Sequence, residues 1–215
     1  MTIKRHFEHS FDESLIVPGG WGADFGCGSD FFISNFLLST GLRVLAVDPN
    51  PAILAEHVPI SDMLHFENVA LTTADVDSID MIIYNDQDAA SCVKMKDDIG
   101  YIKRIRSQTV NASTITKLMK KYQIEKFEVL KLDIEGAEYD FLMSINFPIA
   151  KQISVEFHDF RGSNPYYPDN EKYYKELFEH FSSMYDITRH VIEKHPGLDG
   201  EKAYNYWDSL FVEKQ

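Results

Sequence analysis

Short apolar runs alternate with amphipathic stretches along the chain. The runs RVLAVD, ending at Asp48, and FEVLKLD, ending at Asp133, are bounded by glycine, proline or charged residues, which is typical of strands buried on both faces. Between them, NASTITKLMKKYQI predicts a helix behind a Ser113 N-cap. Its apolar positions follow helical spacing and are Ile115, Leu118, Met119 and Tyr122. Strands that alternate with helices indicate βαβ units and a parallel sheet.

The flanking segments extend this alternation. VPGGWGADFGCG ends in a glycine-rich turn, and SDFFISNFLLST predicts a helix with Phe32, Phe36 and Ser39 on one face. LHFENVAL, SIDMIIYN and QISVEFH predict further strands, and EGAEYDFL opens another helix. Leu177 and Phe181 belong to a later amphipathic helix, and DITRHVIE with AYNYWDSLFVEK predicts a closing antiparallel hairpin.

These elements predict a single three-layer α/β domain over residues 1–215. We expect a mostly parallel sheet with helices on both faces and an antiparallel strand late in the chain. Residues 85–108 mix Asp, Lys and Arg without a clear period, so an irregular insertion is expected there.

Composition limits the partners and the compartment. The 215 residues include 34 acidic and 21 basic side chains, and the net charge of -13 disfavours broad electrostatic binding to nucleic acid or anionic lipid. Two cysteines are too few for a disulfide framework, and MTIKRHFEHS has no apolar segment behind its basic residues. No apolar run approaches roughly 18 residues, so we expect a cytoplasmic protein without membrane spans. The sequence does not indicate an oligomeric state.

Glycines and an acidic residue stand where two successive strands end. Gly26 and Gly28, preceded by Asp24, follow the first strand, and Asp48 ends the second. Such a turn lets a ligand approach the backbone, and such a carboxylate accepts hydrogen bonds from ribose hydroxyls. An ordinary glycine turn followed by an unrelated Asp-Pro turn is the alternative. Phe31 replaces the third glycine of dinucleotide-binding turns, which argues against NAD and favours S-adenosylmethionine, a nucleoside cofactor without phosphate.

The segments DFGCGSDFFISNFL and AVDPNP resemble motif I and the ribose-binding acid of class I methyltransferases. ENVAL, LKLDIEGAEYDFL and VEFHDF extend the resemblance to the FkbM family over Asp24 to Asp159. That family consists of S-adenosylmethionine-dependent O-methyltransferases, many of which act on sugars or glycan-like natural products. The resemblance implies a Rossmann-like, seven-stranded, mostly parallel sheet with an antiparallel last strand. The cofactor-binding residues that it implies are Asp24, Gly26, Gly28, Ser29, Asp48, Asn68, Ala70 and Asp133.

Acidic residues cluster where FEVLKLD gives way to the next helix. Asp133, Glu135 and Glu138 have a structural explanation, because carboxylates in the first turn of a helix gain about 0.3–1 kcal/mol each from the helix dipole. They also have a functional one, since Asp133 and His158 end neighbouring strands and are expected in one cleft. His158 is then the general base, and Asp133 or Glu135 orients it or the acceptor hydroxyl.

A divalent metal offers a competing mechanism. Asp133, Glu156 and Asp159, together with His158, form an oxygen-rich set that suits Mg²⁺ or Mn²⁺, and a bound ion acidifies a sugar hydroxyl directly. We favour the mechanism without a metal.

The expected activity is methyl transfer from S-adenosylmethionine to a hydroxyl of a small molecule or glycan. The aromatic residues Tyr166, Tyr167 and Trp207 are sugar platforms or packing residues. An NAD-linked nucleotide-sugar oxidoreductase is one alternative, which Phe31 disfavours, and a non-catalytic nucleoside-binding module is another.

Overall fold

The computed structural model describes residues 3–7, 9–53, 56–84, 90–91, 104–159, 170–195 and 204–214. Within these ranges the strands are β1 (Ile3–His6), β2 (His9–Asp12), β3 (Trp21–Phe25), β4 (Arg43–Val47), β5 (Leu64–Glu67), β6 (Ala70–Leu71), β7 (Ser78–Tyr84), β8 (Ala90–Ser91), β9 (Arg104–Ser113), β10 (Phe127–Leu132), β11 (Ala150–Asp159), β12 (Tyr185–His195) and β13 (Tyr204–Glu213). The α-helices are α1 (Phe32–Ser39), α2 (Ile115–Tyr122), α3 (Glu138–Met143) and α4 (Asn170–Phe181). The longest of these helices has 12 residues, too short to cross a membrane.

Seven strands form the central sheet, in the order β12-β13-β11-β10-β3-β4-β5. The pairs from β11 through to β5 are parallel, whereas β13 is antiparallel to both β11 and β12. The predicted Rossmann-like sheet with an antiparallel last strand and the predicted closing hairpin are therefore confirmed. Strand order reverses between β3 and β10, and ligands of open α/β sheets bind outside the carboxyl ends of the strands at such a point.

Both faces of this sheet are covered, which gives the three layers. One face packs against α2, α3 and α4 in an apolar core that includes Phe25 and Leu132. The other face packs against α1 and β2 in a core that includes Phe11, Leu37 and Val129. Because side chains alternate along β3, its even-numbered residue Asp24 is directed towards the α1 side.

An N-terminal hairpin, formed by β1 and β2, covers part of β11. The backbone N–H of Asp12 donates to Gln152 Oε1 at 2.8 Å, and Gln152 Nε2 donates to the carbonyl oxygen of Asp12 at 3.1 Å. Gln152 and Ser154, the polar residues on either side of Ile153 in β11, are therefore buried too, because hydrogen bonds to β2 replace those to water. Their polarity follows from this contact and does not mark an exposed face.

A second sheet has the order β6-β9-β7-β8. Strand β9 begins at Arg104, so residues 104–108 form a strand where the sequence predicts irregular structure. Hydrogen bonding to β7 stabilises β9 as a strand. The sequence of residues 104–108 is too polar to predict this strand from an apolar pattern. Residues 85–89 and 92–103 of the expected insertion lie outside the described part of the chain.

Helix α2 confirms its predicted buried positions, since Ile115, Leu118 and Met119 lie in the core. The predicted N-cap of this helix, Ser113, is wrong by one residue. The Thr114 hydroxyl accepts from the N–H of Lys117, whereas Ser113 is the last residue of β9.

Helix α1 turns a different face to the sheet from the predicted one. Phe32 is 52% exposed and Ser39 is exposed, while the buried positions are Ile33, Ser34 and Leu37. The apolar residues alone do not identify this face, because the polar residue Ser34 is also buried. Its hydroxyl donates a hydrogen bond to the carboxylate of Asp24.

Candidate functional site

A cleft of about 590 Å³ opens where strand order reverses, at the carboxyl ends of β3, β4 and β10. Parallel register aligns Phe25 with both Val47 and Leu132, so the residues that follow these strands meet at one edge. The predicted residues that line this cleft are Asp24, Gly26, Gly28, Ser29, Asp48, Ala70, Asp133 and Glu135. Four separate sequence segments thus contribute to a single site.

The glycine turn after β3 is held by its surroundings. Gly26 has a φ of +75°, and a Cβ built on it would lie 1.6 Å from the carbonyl oxygen of Asp133. Gly28 also has a positive φ, +60°, but a Cβ there would meet no atom within 4 Å. Gly26 therefore permits close backbone packing, whereas Gly28 faces open space in the cleft.

Asp48 closes the turn from the neighbouring strand. Its Oδ2 accepts from the N–H of Gly28 at 3.0 Å, and its Oδ1 accepts from the N–H of Asn50 at 2.8 Å. Burial raises the pKa of Asp48, and these backbone hydrogen bonds oppose the rise. Asn68, predicted to bind the cofactor, instead donates from Nδ2 to the carbonyl oxygens of Asp48 and Asn50 and does not line the cleft.

A buried ion-pair network lies beneath the glycine turn. Ser34 Oγ donates to Asp24 Oδ2 at 2.6 Å, while Asp24 Oδ1 has no hydrogen bond from the described residues. Lys131 Nζ lies 3.6 Å from Asp24 Oδ1 and 3.1 Å from Asp133 Oδ2, and it donates to the carbonyl oxygen of Gly26 at 2.5 Å. Burial opposes the charge of Lys131, but the two carboxylates outweigh it and raise the lysine pKa.

Lys131 was not among the predicted site residues. The available signal was a single lysine inside the apolar run FEVLKL, because a buried lysine almost always has a charged partner.

The acidic cluster after β10 divides into two roles. The structural explanation required Asp133 and Glu135 to lie in the first turn of a helix. Helix α3 begins only at Glu138, so these two residues precede it. Glu138 is buried, and its carboxylate accepts from the N–H groups of Ile134 and Gly136. It shapes the loop, in which Glu135 and Gly136 both have positive φ, and Asp133 and Glu135 face the cleft.

A second cluster lies beside Asp133 and includes a residue that the sequence analysis missed. One ligand-type atom each of His9, Asp133 and Glu156 lies within 4.8 Å of the others. His9 reaches this place because β2 packs on β11, and its Nδ1 lies 3.2 Å from Ser154 Oγ. No local pattern in the sequence indicates this contact, which spans 145 positions.

The side chains of several predicted residues are not described. His158 is in β11, paired in register with Tyr206, but its side chain and those of Asp159 and Trp207 are not described. Tyr166 and Tyr167 fall in the undescribed range 160–169.

Comparison with known proteins agrees with this architecture. Residues 22–190 match the model of the methyltransferase FkbM domain. Among solved structures, a candidate rRNA methylase from Clostridium thermocellum aligns at 11% identity with a TM-score of 0.50, over 94% of this chain and 92% of that one. A human methyltransferase 10 domain containing protein aligns at 12% identity with a TM-score of 0.47, over 95% and 76% of the two chains. No curated protein sequence matches significantly.

Proposed function

Because this chain belongs to the FkbM methyltransferase family, we propose that it transfers the methyl group of S-adenosylmethionine to a hydroxyl of a sugar, glycan or related natural product. Membership of the family gives S-adenosylmethionine-dependent methyl transfer as the class of reaction. The chemical class of the acceptor is what we propose. The observation that carries it is the meeting, in one cleft, of the glycine turn, Asp48 and the carboxylates of Asp133 and Glu135.

The residues of the cleft fit the cofactor. Gly28 leaves open space above the turn, and Asp48 is placed to accept hydrogen bonds from ribose hydroxyls. Asp24 Oδ1 is a buried acceptor without a hydrogen bond from the described residues, which suits an ammonium group. Phe31 is fully buried and packs edge-on against Phe66, so the glycine that a pyrophosphate requires is absent. This supports a nucleoside without phosphate over NAD.

The charge of the chain and of its cleft favours a neutral acceptor. The net charge of -13 and the carboxylates of Asp133 and Glu135 at the cleft disfavour a polyanionic acceptor such as RNA. Carboxylates accept hydrogen bonds from hydroxyl groups, and a polyhydroxylated ring offers several. A neutral sugar or glycan therefore suits this rim.

The mechanism assigns positioning to the rim carboxylates. When bound, S-adenosylmethionine supplies a sulfonium methyl group, and the acceptor oxygen forms the new bond to carbon as the carbon–sulfur bond breaks and the hydroxyl proton leaves. Asp133 is fixed by Lys131 and orients the acceptor hydroxyl. His158 takes the proton as general base in this proposal, with Asp133 or Glu135 orienting it.

Calorimetry with S-adenosylhomocysteine tests the cofactor site. Asp48→Asn should weaken binding by about 10–100-fold, because a charged hydrogen-bond acceptor for the ribose contributes about 1.5–3 kcal/mol. Asp62→Asn, at an exposed position outside the cleft, is the control and should bind like the unaltered protein. Absence of binding by the unaltered protein would contradict the proposed function.

Transfer of a labelled methyl group to panels of sugars, glycans, phenols and RNA tests the acceptor. Labelling of RNA or phenols in preference to sugars would refute the acceptor class. His158→Ala should lower turnover by about 10²–10⁴-fold and leave S-adenosylhomocysteine binding unchanged. Loss of binding in this variant would refute its assignment as the base.

A further inference from the structure

Beside the cleft, an imidazole and two carboxylates lie close together, and two of these three groups, His9 and Asp133, line the cleft itself. His9 comes from β2, Asp133 from the loop after β10 and Glu156 from β11, and their ligand-type atoms lie within 4.8 Å of one another. We propose that His9, Asp133 and Glu156 bind a divalent cation of the Mg²⁺ and Mn²⁺ class. Only Asp133 and Glu156 belong to the metal set that the sequence suggests, and His9 is new.

Burial and rigidity favour a built site over a chance surface cluster. His9 and Glu156 are more than nine-tenths buried, while Asp133 keeps a face towards the cleft. The His9 ring is oriented by Ser154 Oγ, which also accepts from the N–H of Ser10 at 3.2 Å. Hydrogen-bonded partners of this kind hold ligating histidines in metalloproteins. The orientation of the imidazole is thus set by a neighbouring strand.

Charge points in the same direction. The described residues place one lysine, Lys131, against two carboxylates, Asp24 and Asp133, so its single charge is already shared. Glu156 adds a further carboxylate within 4.8 Å of Asp133. A divalent cation between two carboxylates at this separation is attracted to both of them. Two oxygen ligands and one nitrogen suit Mn²⁺ and leave positions for acceptor oxygens.

The role of the cation rests on the proposed function. Asp133 is shared by the metal cluster and the cofactor cleft, so a cation there lies at the rim where the acceptor hydroxyl is expected. Coordination of that oxygen makes its proton more acidic, and the proton passes to His158 or to water.

Titration with Mn²⁺, followed by the loss of the free-ion signal in electron paramagnetic resonance, tests the site directly. The unaltered protein, measured with and without S-adenosylhomocysteine, should bind one Mn²⁺ per chain. Glu156→Gln should weaken Mn²⁺ binding by at least about tenfold, and Ser154→Ala, which removes the hydroxyl beside His9 and keeps all three proposed ligands, should weaken it by about 10–100-fold. Glu128→Gln is the matched control, because Glu128 lies at the opposite end of β10 and pairs with Lys151.

The outcomes separate the two proposals. Absence of Mn²⁺ binding under both conditions, or equal binding by the protein and Glu156→Gln, overturns the metal site, even if S-adenosylhomocysteine still binds. Mn²⁺ binding that Glu156→Gln weakens supports the site, even if S-adenosylhomocysteine does not bind and the proposed function fails. Circular dichroism of each metal-free variant checks that the fold is intact.

Discussion

Replacement of Gly26 by alanine tests whether the glycine turn is packed against the loop after β10. A Cβ at this position would lie 1.6 Å from the carbonyl oxygen of Asp133, whereas ordinary contact begins at 3.4 Å. The two backbone segments must therefore separate by about 1.8 Å, the difference between these distances. Overpacking of this kind costs about 1–3 kcal/mol. The left-handed φ of +75° adds about 1–2 kcal/mol for a residue with a side chain.

Gly28→Ala provides the matched control within the same turn. Its φ is also left-handed, but its Cβ would meet no atom within 4 Å, so only the conformational cost of about 1–2 kcal/mol applies. We therefore expect Gly26→Ala to lower the free energy of unfolding by about 1–3 kcal/mol more than Gly28→Ala. For a chain of this length the difference corresponds to a further fall in Tm of about 2–12 °C.

Thermal and urea unfolding of the protein without cofactor measure this difference. Equal losses of stability in the two variants would refute the close approach of Gly26 to the Asp133 carbonyl. Calorimetry with S-adenosylhomocysteine adds the binding affinity as a second measurement, because displacement of the loop also moves the Asp133 carboxylate in the cleft.

Three further changes probe buried polar groups, two of them beside the site and one at the amino end of β11. Lys131→Met should lower the free energy of unfolding at pH 7 by about 3–5 kcal/mol, because it leaves two carboxylates without their buried partner; a loss below 1 kcal/mol would contradict the network. Glu138→Ala should cost about 1–3 kcal/mol and Glu138→Gln less, since the amide oxygen still accepts from Gly136; equal losses by urea unfolding would contradict this. Burial raises the pKa of Tyr185 to about 12 from an unfolded value of 10.0, so the stability that its protonated form provides is present below pH 10 and is lost as pH rises towards 12. Tyr185→Phe should lower stability at pH 8 by about 1–2 kcal/mol and reduce the decline between pH 10 and 12, which unfolding across that range would check.

The sequence predicts those parts of the site that depend on short segments. Asp48 follows a strand whose apolar run is clear, Gly26 and Gly28 form a recognisable glycine turn, and parallel register brings the two together. The core positions of α2 are equally local, because helical spacing identifies Ile115 and Leu118 without any knowledge of their neighbours.

Contacts between distant segments account for what the sequence does not predict. His9 and Ser154 are 145 positions apart, and no periodicity links them. Strand β9 is polar and is formed by its ladder to β7, so its first residues carry no apolar signal. The buried face of α1 includes Ser34, whose burial depends on Asp24 in another element. The amide of Asn68 likewise fixes the loop at Asp48, a use that its position at a strand end does not indicate.

The packing of the N-terminal hairpin on β11 has a consequence for biosynthesis. Asp12 and its partner Gln152 are 140 positions apart, so a ribosome adding about 5–20 residues per second needs roughly 7–28 s to deliver the second after the first. During that interval the hairpin lacks β11, the strand on which β2 packs in the finished protein. Docking of this hairpin on the sheet therefore cannot be completed until β11 has been synthesised.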